Sequence, residues 1–228
     1  MHMRVTFGLI IGACLFAPGT VLAQHGGDVG LVLDAGVIVT GEFDGVDHEP
    51  RRVFESEFGE VFPDFTDEPG FDTLHPGPFT PGTNIGFNII DSLRKWNGSD
   101  FDTIPIETIS ITFGPTGPVT TPASPMTVAG FTLPVQADGG WHRHLEFTLN
   151  SPASTGIYSL QLELFSTQVG VGNSLPFWIV FNQNDTEENH EAAVAFVEQS
   201  LVPEPAGVGV VMMMGLGAML MRRRRREA

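Results

Sequence analysis

Trp141-His142-Arg143-His144-Leu145-Glu146-Phe147-Thr148-Leu149 alternates in a way that only an extended chain can use. In a β-strand, side chains two residues apart share a face. Here that puts His142, His144, Glu146 and Thr148 on one face and Trp141, Leu145, Phe147 and Leu149 on the other. The second set is a core-facing stripe, and Arg143 is the polar intruder that must snorkel or pair with an acid. A strand that is apolar on one side and polar on the other belongs to a sheet with one buried face, which antiparallel sheets commonly have.

The surrounding sequence repeats the theme. Residues 29–33 and 37–40 flank Asp34-Ala35-Gly36, a hairpin signature, here with a three-residue loop. Residues 85, 87 and 89 alternate, and Ile104, Ile106, Ile109, Ile111 and Phe113 suggest a strand with a break near Glu107-Thr108. Residues 42–81 are rich in Asp, Glu, Pro, Gly and Phe without a sustained period, as in ordered loops pinned by phenylalanines. Residues 114–125 form a Pro/Thr/Gly connector and are the candidate internal boundary. Beyond them, segments 141–149, 157–165 and 175–181 suggest a meander. One helix is expected: Asp185 and Glu188 have capping-box spacing, and Val194, Val197 and Leu201 share a face. The fold class is therefore mainly β, an antiparallel β-sandwich or jelly roll with one C-terminal amphipathic helix, followed by a single short transmembrane helix.

Both ends carry export signals. Arg4 precedes an apolar stretch and Val21-Leu22-Ala23 offers a small-residue cleavage site, the form of a secretory signal peptide. A lipoprotein signal ending at Cys14 is opposed by the apolar run continuing through Leu15 and Phe16. Loss of the signal removes Cys14, the one cysteine, and with it disulfide and thiol chemistry. At the other end, Pro203-Glu204-Pro205 opens an uncharged segment, 206–221, closed by Arg222, Arg223, Arg224, Arg225 and Arg226. The apolar run is short for a ~30 Å hydrocarbon core, and the arginines would stay on the cytoplasmic side. Motif, span and basic cluster in this order resemble the PEP-CTERM sorting signal. That resemblance implies a membrane-held intermediate, an exosortase-type processing enzyme as partner, and final delivery to the cell envelope or extracellular matrix.

The division expected is a signal peptide at 1–23, a β-rich extracytoplasmic domain at 24–182, helix and linker at 183–202, and the sorting signal at 203–228. Without the charged residues of the two signals, 5 basic and 25 acidic residues remain, a formal net charge of −20. Such a surface excludes nucleic acid as a partner, because phosphate contacts need clustered Lys and Arg. It favours solubility, a monomer, and attraction for cations. Thirteen of those acids fall between Asp28 and Asp72, which concentrates the field in the N-terminal third.

His142 and His144, at i and i+2, can share a metal ion if a further ligand comes from elsewhere. His25 is the expected third ligand, with His48, His75 and His190 in reserve, and zinc is the divalent ion that best suits such donors. His25 and Asp28 before a strand, with His142, His144, Phe147, Thr148, Gly156 and Tyr158, also resemble the choice-of-anchor surface domains of bacteria, although two glycines separate His25 from Asp28. That resemblance implies metal handling or surface display. No Gly-x-Ser-x-Gly or His-Glu-x-x-His is present, so a non-catalytic role is expected. The alternatives are a carbohydrate- or polymer-binding module using Trp96, Trp141 and Trp178 on envelope polysaccharide, or an extracellular hydrolase working through paired acids.

Overall fold

A computed structural model describes residues 27–202. Its strands are β1 (Val29–Asp34), β2 (Val37–Asp44), β3 (Asp47–Pro50), β4 (Val53–Glu57), β5 (Phe65–Thr66), β6 (Phe71–Asp72), β7 (Asn84–Ile89) and β8 (Arg94–Lys95), followed by β9 (Ile109–Phe113), β10 (Thr116–Thr120), β11 (Val128–Pro134), β12 (Glu146–Leu149), β13 (Gly156–Ser166) and β14 (Phe177–Gln183). One helix, α1 (Glu187–Phe196), runs on into a π-helical turn, Val197–Leu201. The chain is thus mainly β, and its layered sheets are consistent with a sandwich.

The largest sheet has the order β11-β7-β13-β14-β4, with β8 also on β13; the others run β3-β2-β1-β6 and β10-β9-β12-β5. Alternation explains the core between them. Ile85, Phe87 and Ile89 of β7, Leu160, Leu162 and Leu164 of β13, and Phe177, Ile179 and Phe181 of β14 meet Val29 and Leu31 of β1, Ile109 and Ile111 of β9, and Phe147 and Leu149 of β12 in one cluster. β14 is buried at every position. Its other face lies under α1, where Trp178 and Val180 join Val53, Ile157, Ala193, Val194 and Val197. Burial on both faces is the physical reason for the unbroken apolar run Phe177-Trp178-Ile179-Val180-Phe181.

Several expectations need correction. The sheets are not wholly antiparallel: β1 pairs β6 and β14 pairs β4 in parallel. Residues 42–81 are not loops alone, since β3, β4, β5 and β6 lie there. The first hairpin has a two-residue loop, in which Ala35 and Gly36 both take positive φ (46° and 80°), as a type I′ turn requires. The 114–125 connector is no boundary, because β10 pairs β9 and is part of the sheet. The meander is broken as well: β12 pairs β9 and β5, while β13 pairs β14, so the chain changes sheets at the Ser151-Pro152 bend. The helix cap is Thr186, whose hydroxyl accepts from the Asn189 N–H at 3.3 Å; Asp185 instead holds the Asn189 side chain. Val194 and Val197 pack inward as expected, whereas Leu201 is exposed. The signal peptide and the whole of 203–228, transmembrane segment included, lie outside the described residues. Among the described residues no helix is long and apolar enough to cross a membrane.

At the sheet-changing corner, Glu107 is buried and accepts from the Ser154 hydroxyl (2.5 Å) and the Ser154 N–H (3.2 Å). Lys95 Nζ donates to Ser154 Oγ (2.8 Å) and to Tyr158 Oη (3.0 Å). Burial pushes the Glu107 carboxyl up, but the Ser154 donors and the nearby Lys95 charge together hold it below its ordinary value. Glu107→Ala leaves these donors unmatched and is expected to cost about 2–4 kcal/mol in urea unfolding at neutral pH. A lowered carboxyl contributes its stability above its ordinary value and loses it as pH falls through the lowered one. The deficit of the variant should therefore shrink in acid.

Candidate metal centre

Three chain segments build the candidate site, and β6 is the middle one. Val29 of β1 pairs in parallel with Phe71, and Phe71 exchanges backbone hydrogen bonds with Arg143 on its other side, at 2.8 and 2.9 Å. Val29 and Phe71 are fully buried, and Trp141 and Leu145 on either side of Arg143 are buried too. Alternation then turns Asp28, Gly70, Asp72, His142 and His144 outward. They form two adjacent rows across the surface, Asp28-Gly70-His144 and Gly30-Asp72-His142.

The glycine in the first row makes the convergence possible. A Cβ at Gly70 would lie 2.6 Å from His144 Cε1 and 2.8 Å from an Asp28 carboxylate oxygen. Asp28 and His144 therefore reach towards each other over a floor that only glycine provides. One ligand atom each from Asp28, His142 and His144 falls within 4.8 Å of the others, and the two imidazole centroids are 5.1 Å apart. Compact groups of this kind suit a divalent cation.

Oxygen partners on the outer side orient both rings. His144 Nδ1 lies 3.2 Å from the Asp67 carbonyl oxygen and 3.5 Å from a Glu68 carboxylate oxygen. His142 Nδ1 is 3.1 Å from Asp72 Oδ1. The Asp67 carbonyl only accepts, so His144 Nδ1 donates to it and the Nε2 edge of that ring is left for a cation. Metal-bound histidines are commonly oriented by carboxylate and carbonyl partners of this kind. Asp72 has a second neighbour: His75 Nε2 is 3.8 Å from its Oδ1, and His75 Nδ1 is held by Asp138 at 2.8 Å. The N–H of Gly140, then the hydrogen bond from His75, keep the Asp138 carboxyl below its ordinary value. Glu68, Asp72 and Asp138 thus make the rim rich in carboxylates, which suits a positive ion.

The other expected participants lie elsewhere. His25 is outside the described residues, and the structure brings Asp28 to the histidine pair. Glu146, expected on the same face, is tied to the Thr112 hydroxyl at 2.7 Å. His48 packs edge-on to Phe43, and His190 is buried on the inner face of α1. Arg143 finds carbonyls instead of an acid: its guanidinium donates to the oxygens of His142 and Pro134, both at 2.7 Å, and burial pushes it below its ordinary value. Pro203, Glu204, Pro205 and Arg222, Arg223, Arg224, Arg225 and Arg226 are likewise outside the described residues. The sequence marks Asp28 only beside His25 in the resemblance to surface domains, with His25 and not Asp28 as the expected ligand. Asp72 was legible only as the end of an acidic stretch, Asp64 to Asp72, able to supply oxygens to a loose cation site, and Gly70 not at all, because their roles here follow from long-range pairing.

Compared with known proteins, the chain matches no family model, no curated protein and no solved structure.

Proposed function

We propose that this chain is an exported envelope or matrix protein that binds a divalent metal ion, zinc for preference, through Asp28, His142 and His144. The observation that carries this reading is the convergence of the three side chains over Gly70, with both histidines oriented by oxygen partners. One carboxylate and two imidazoles form a mixed oxygen and nitrogen donor set of the kind zinc takes, with manganese or iron as weaker candidates. The role is binding without catalysis, in a sandwich-like domain that reaches the envelope through its signal peptide and the PEP-CTERM-like tail. An exosortase-type enzyme is the partner during sorting.

The polymer-binding alternative draws less support from the surface. Trp141 and Trp178 are 1% and 7% exposed, and Trp96 is packed against Phe101 and Phe196. Stacking on a sugar needs an open aromatic face, and none of the three tryptophans is exposed.

Gly70→Ala tests the metal reading without touching a ligand. Gly70 does not occupy the left-handed region, so alanine is tolerated by the backbone and its methyl group projects between His144 and Asp28. Zinc affinity, measured by equilibrium dialysis, should fall by about 10–100-fold, the range found when ligand positioning is lost. An affinity equal to that of the unsubstituted chain would place any bound zinc elsewhere.

A further inference from the structure

We propose that Glu57, Glu187 and His190 form a second divalent-cation site, one that fastens the C-terminal helix to the edge of the largest sheet. Glu57 ends β4, Glu187 opens α1, and His190 lies on the next turn of the helix. One carboxylate oxygen of each glutamate and a ring nitrogen of His190 all lie within 4.8 Å of one another. His190 is 2% exposed, and its Nε2 is 3.0 Å from the Val180 carbonyl oxygen. A carbonyl only accepts, so Nε2 donates to it and Nδ1 is the ring nitrogen left for a cation. A buried histidine thereby brings a ring nitrogen beside two carboxylates.

The five Lys and Arg side chains of the described residues make their polar contacts elsewhere: Arg51 with Glu42, Glu55 and Glu198, Arg52 with the Pro176 carbonyl, Arg94 with Asp91, Lys95 with Ser154 and Tyr158, and Arg143 with the Pro134 carbonyl. The positive end of the helix dipole opposes a cation here, but its roughly half-unit charge is outweighed by two carboxylates. The carbonyl partner of His190 is also the kind that fixes a metal-binding imidazole. An ion at this point would join β4 to α1. It would hold the helix that leads to Val202, beyond which Pro203-Glu204-Pro205 begins.

Equilibrium dialysis of the full-length chain in mild detergent, with zinc as the only metal, tests this site separately from the first. Two equivalents are expected for the unsubstituted chain, one for Glu57→Gln/Glu187→Gln, and one for His142→Asn/His144→Asn. If the first site were misread, the histidine variant would match the unsubstituted chain while the glutamine variant bound none. The glutamines are close in shape and sit at partly exposed or exposed positions, so folding should persist. Hydrogen exchange locates the ion: at about ten times the dissociation constant, zinc should slow exchange in α1 about tenfold in the unsubstituted chain and leave the glutamine variant unchanged. Equal zinc counts in the glutamine variant and the unsubstituted chain, or equal protection of α1 in both, would overturn the proposal.

Discussion

His142→Asn/His144→Asn should weaken zinc binding at the outer site by more than about 100-fold, beyond the 10–100-fold loss seen when only an outer partner of a ligand is removed. The variant keeps Asp28 as the one remaining donor of the triad, and a lone carboxylate on a water-exposed face holds zinc poorly. Folding should survive, because His142 is exposed and His144 only half-buried. Thermal melting gives an independent reading. Zinc at 100 times its dissociation constant should stabilise the unsubstituted chain by about 2.7 kcal/mol, and the contribution from this site should vanish in the variant. Isothermal titration calorimetry, run in the Glu57→Gln/Glu187→Gln background, isolates this site from the inner one. Comparable affinity with and without the two histidines would remove them from the binding account.

The second large effect concerns the floor beneath that site. Trp141→Ala should cost about 3–5 kcal/mol, the usual range for deleting a large buried aromatic. For a domain of this size that lowers the melting temperature by on the order of 10 °C. Trp141 is 1% exposed, its ring meets Phe71 edge-on at 5.8 Å, and its indole N–H donates to the Leu133 carbonyl at 3.3 Å. Its backbone N–H also donates to the Thr73 hydroxyl at 3.0 Å. One residue therefore secures the segment that bears both histidines against the segment that bears Gly70 and Asp72. Metal affinity should fall along with stability, because the ligands are held by the same packing. A loss below about 1 kcal/mol in urea unfolding would be typical of an open surface site and would contradict this role.

What the sequence could reveal depended on how local each feature is. Alternation from Trp141 to Leu149 survives in the structure as buried and unburied positions, because one buried face enforces the two-residue period. The hairpin at Ala35-Gly36 was visible for a similar reason, since its turn is decided by neighbouring residues. The rest depended on distant partners. Asp28 meets His144 only because the two-residue strand β6 slots between β1 and the 141–145 segment. β4 lies beside β14 in parallel, Val53 against Trp178, and no sequence pattern announces that pairing. Apolar content could also mislead: Ile106 fits the alternation that precedes β9 yet is 81% exposed. The cap moved from Asp185 to Thr186 because Asp185 is engaged with the side chain of Asn189 and with the Thr186 N–H.

The central claim is that a divalent metal is held by two imidazoles and a carboxylate on the outer face of the β1, β6 and 141–145 segments. Zinc-edge X-ray absorption on the Glu57→Gln/Glu187→Gln chain, loaded with zinc and dialysed, tests it most directly. The expected spectrum shows one zinc per chain with two imidazole nitrogens at about 2.0–2.1 Å and oxygen completing the shell. Zinc surrounded only by oxygen, or no zinc retained after dialysis, would contradict the account.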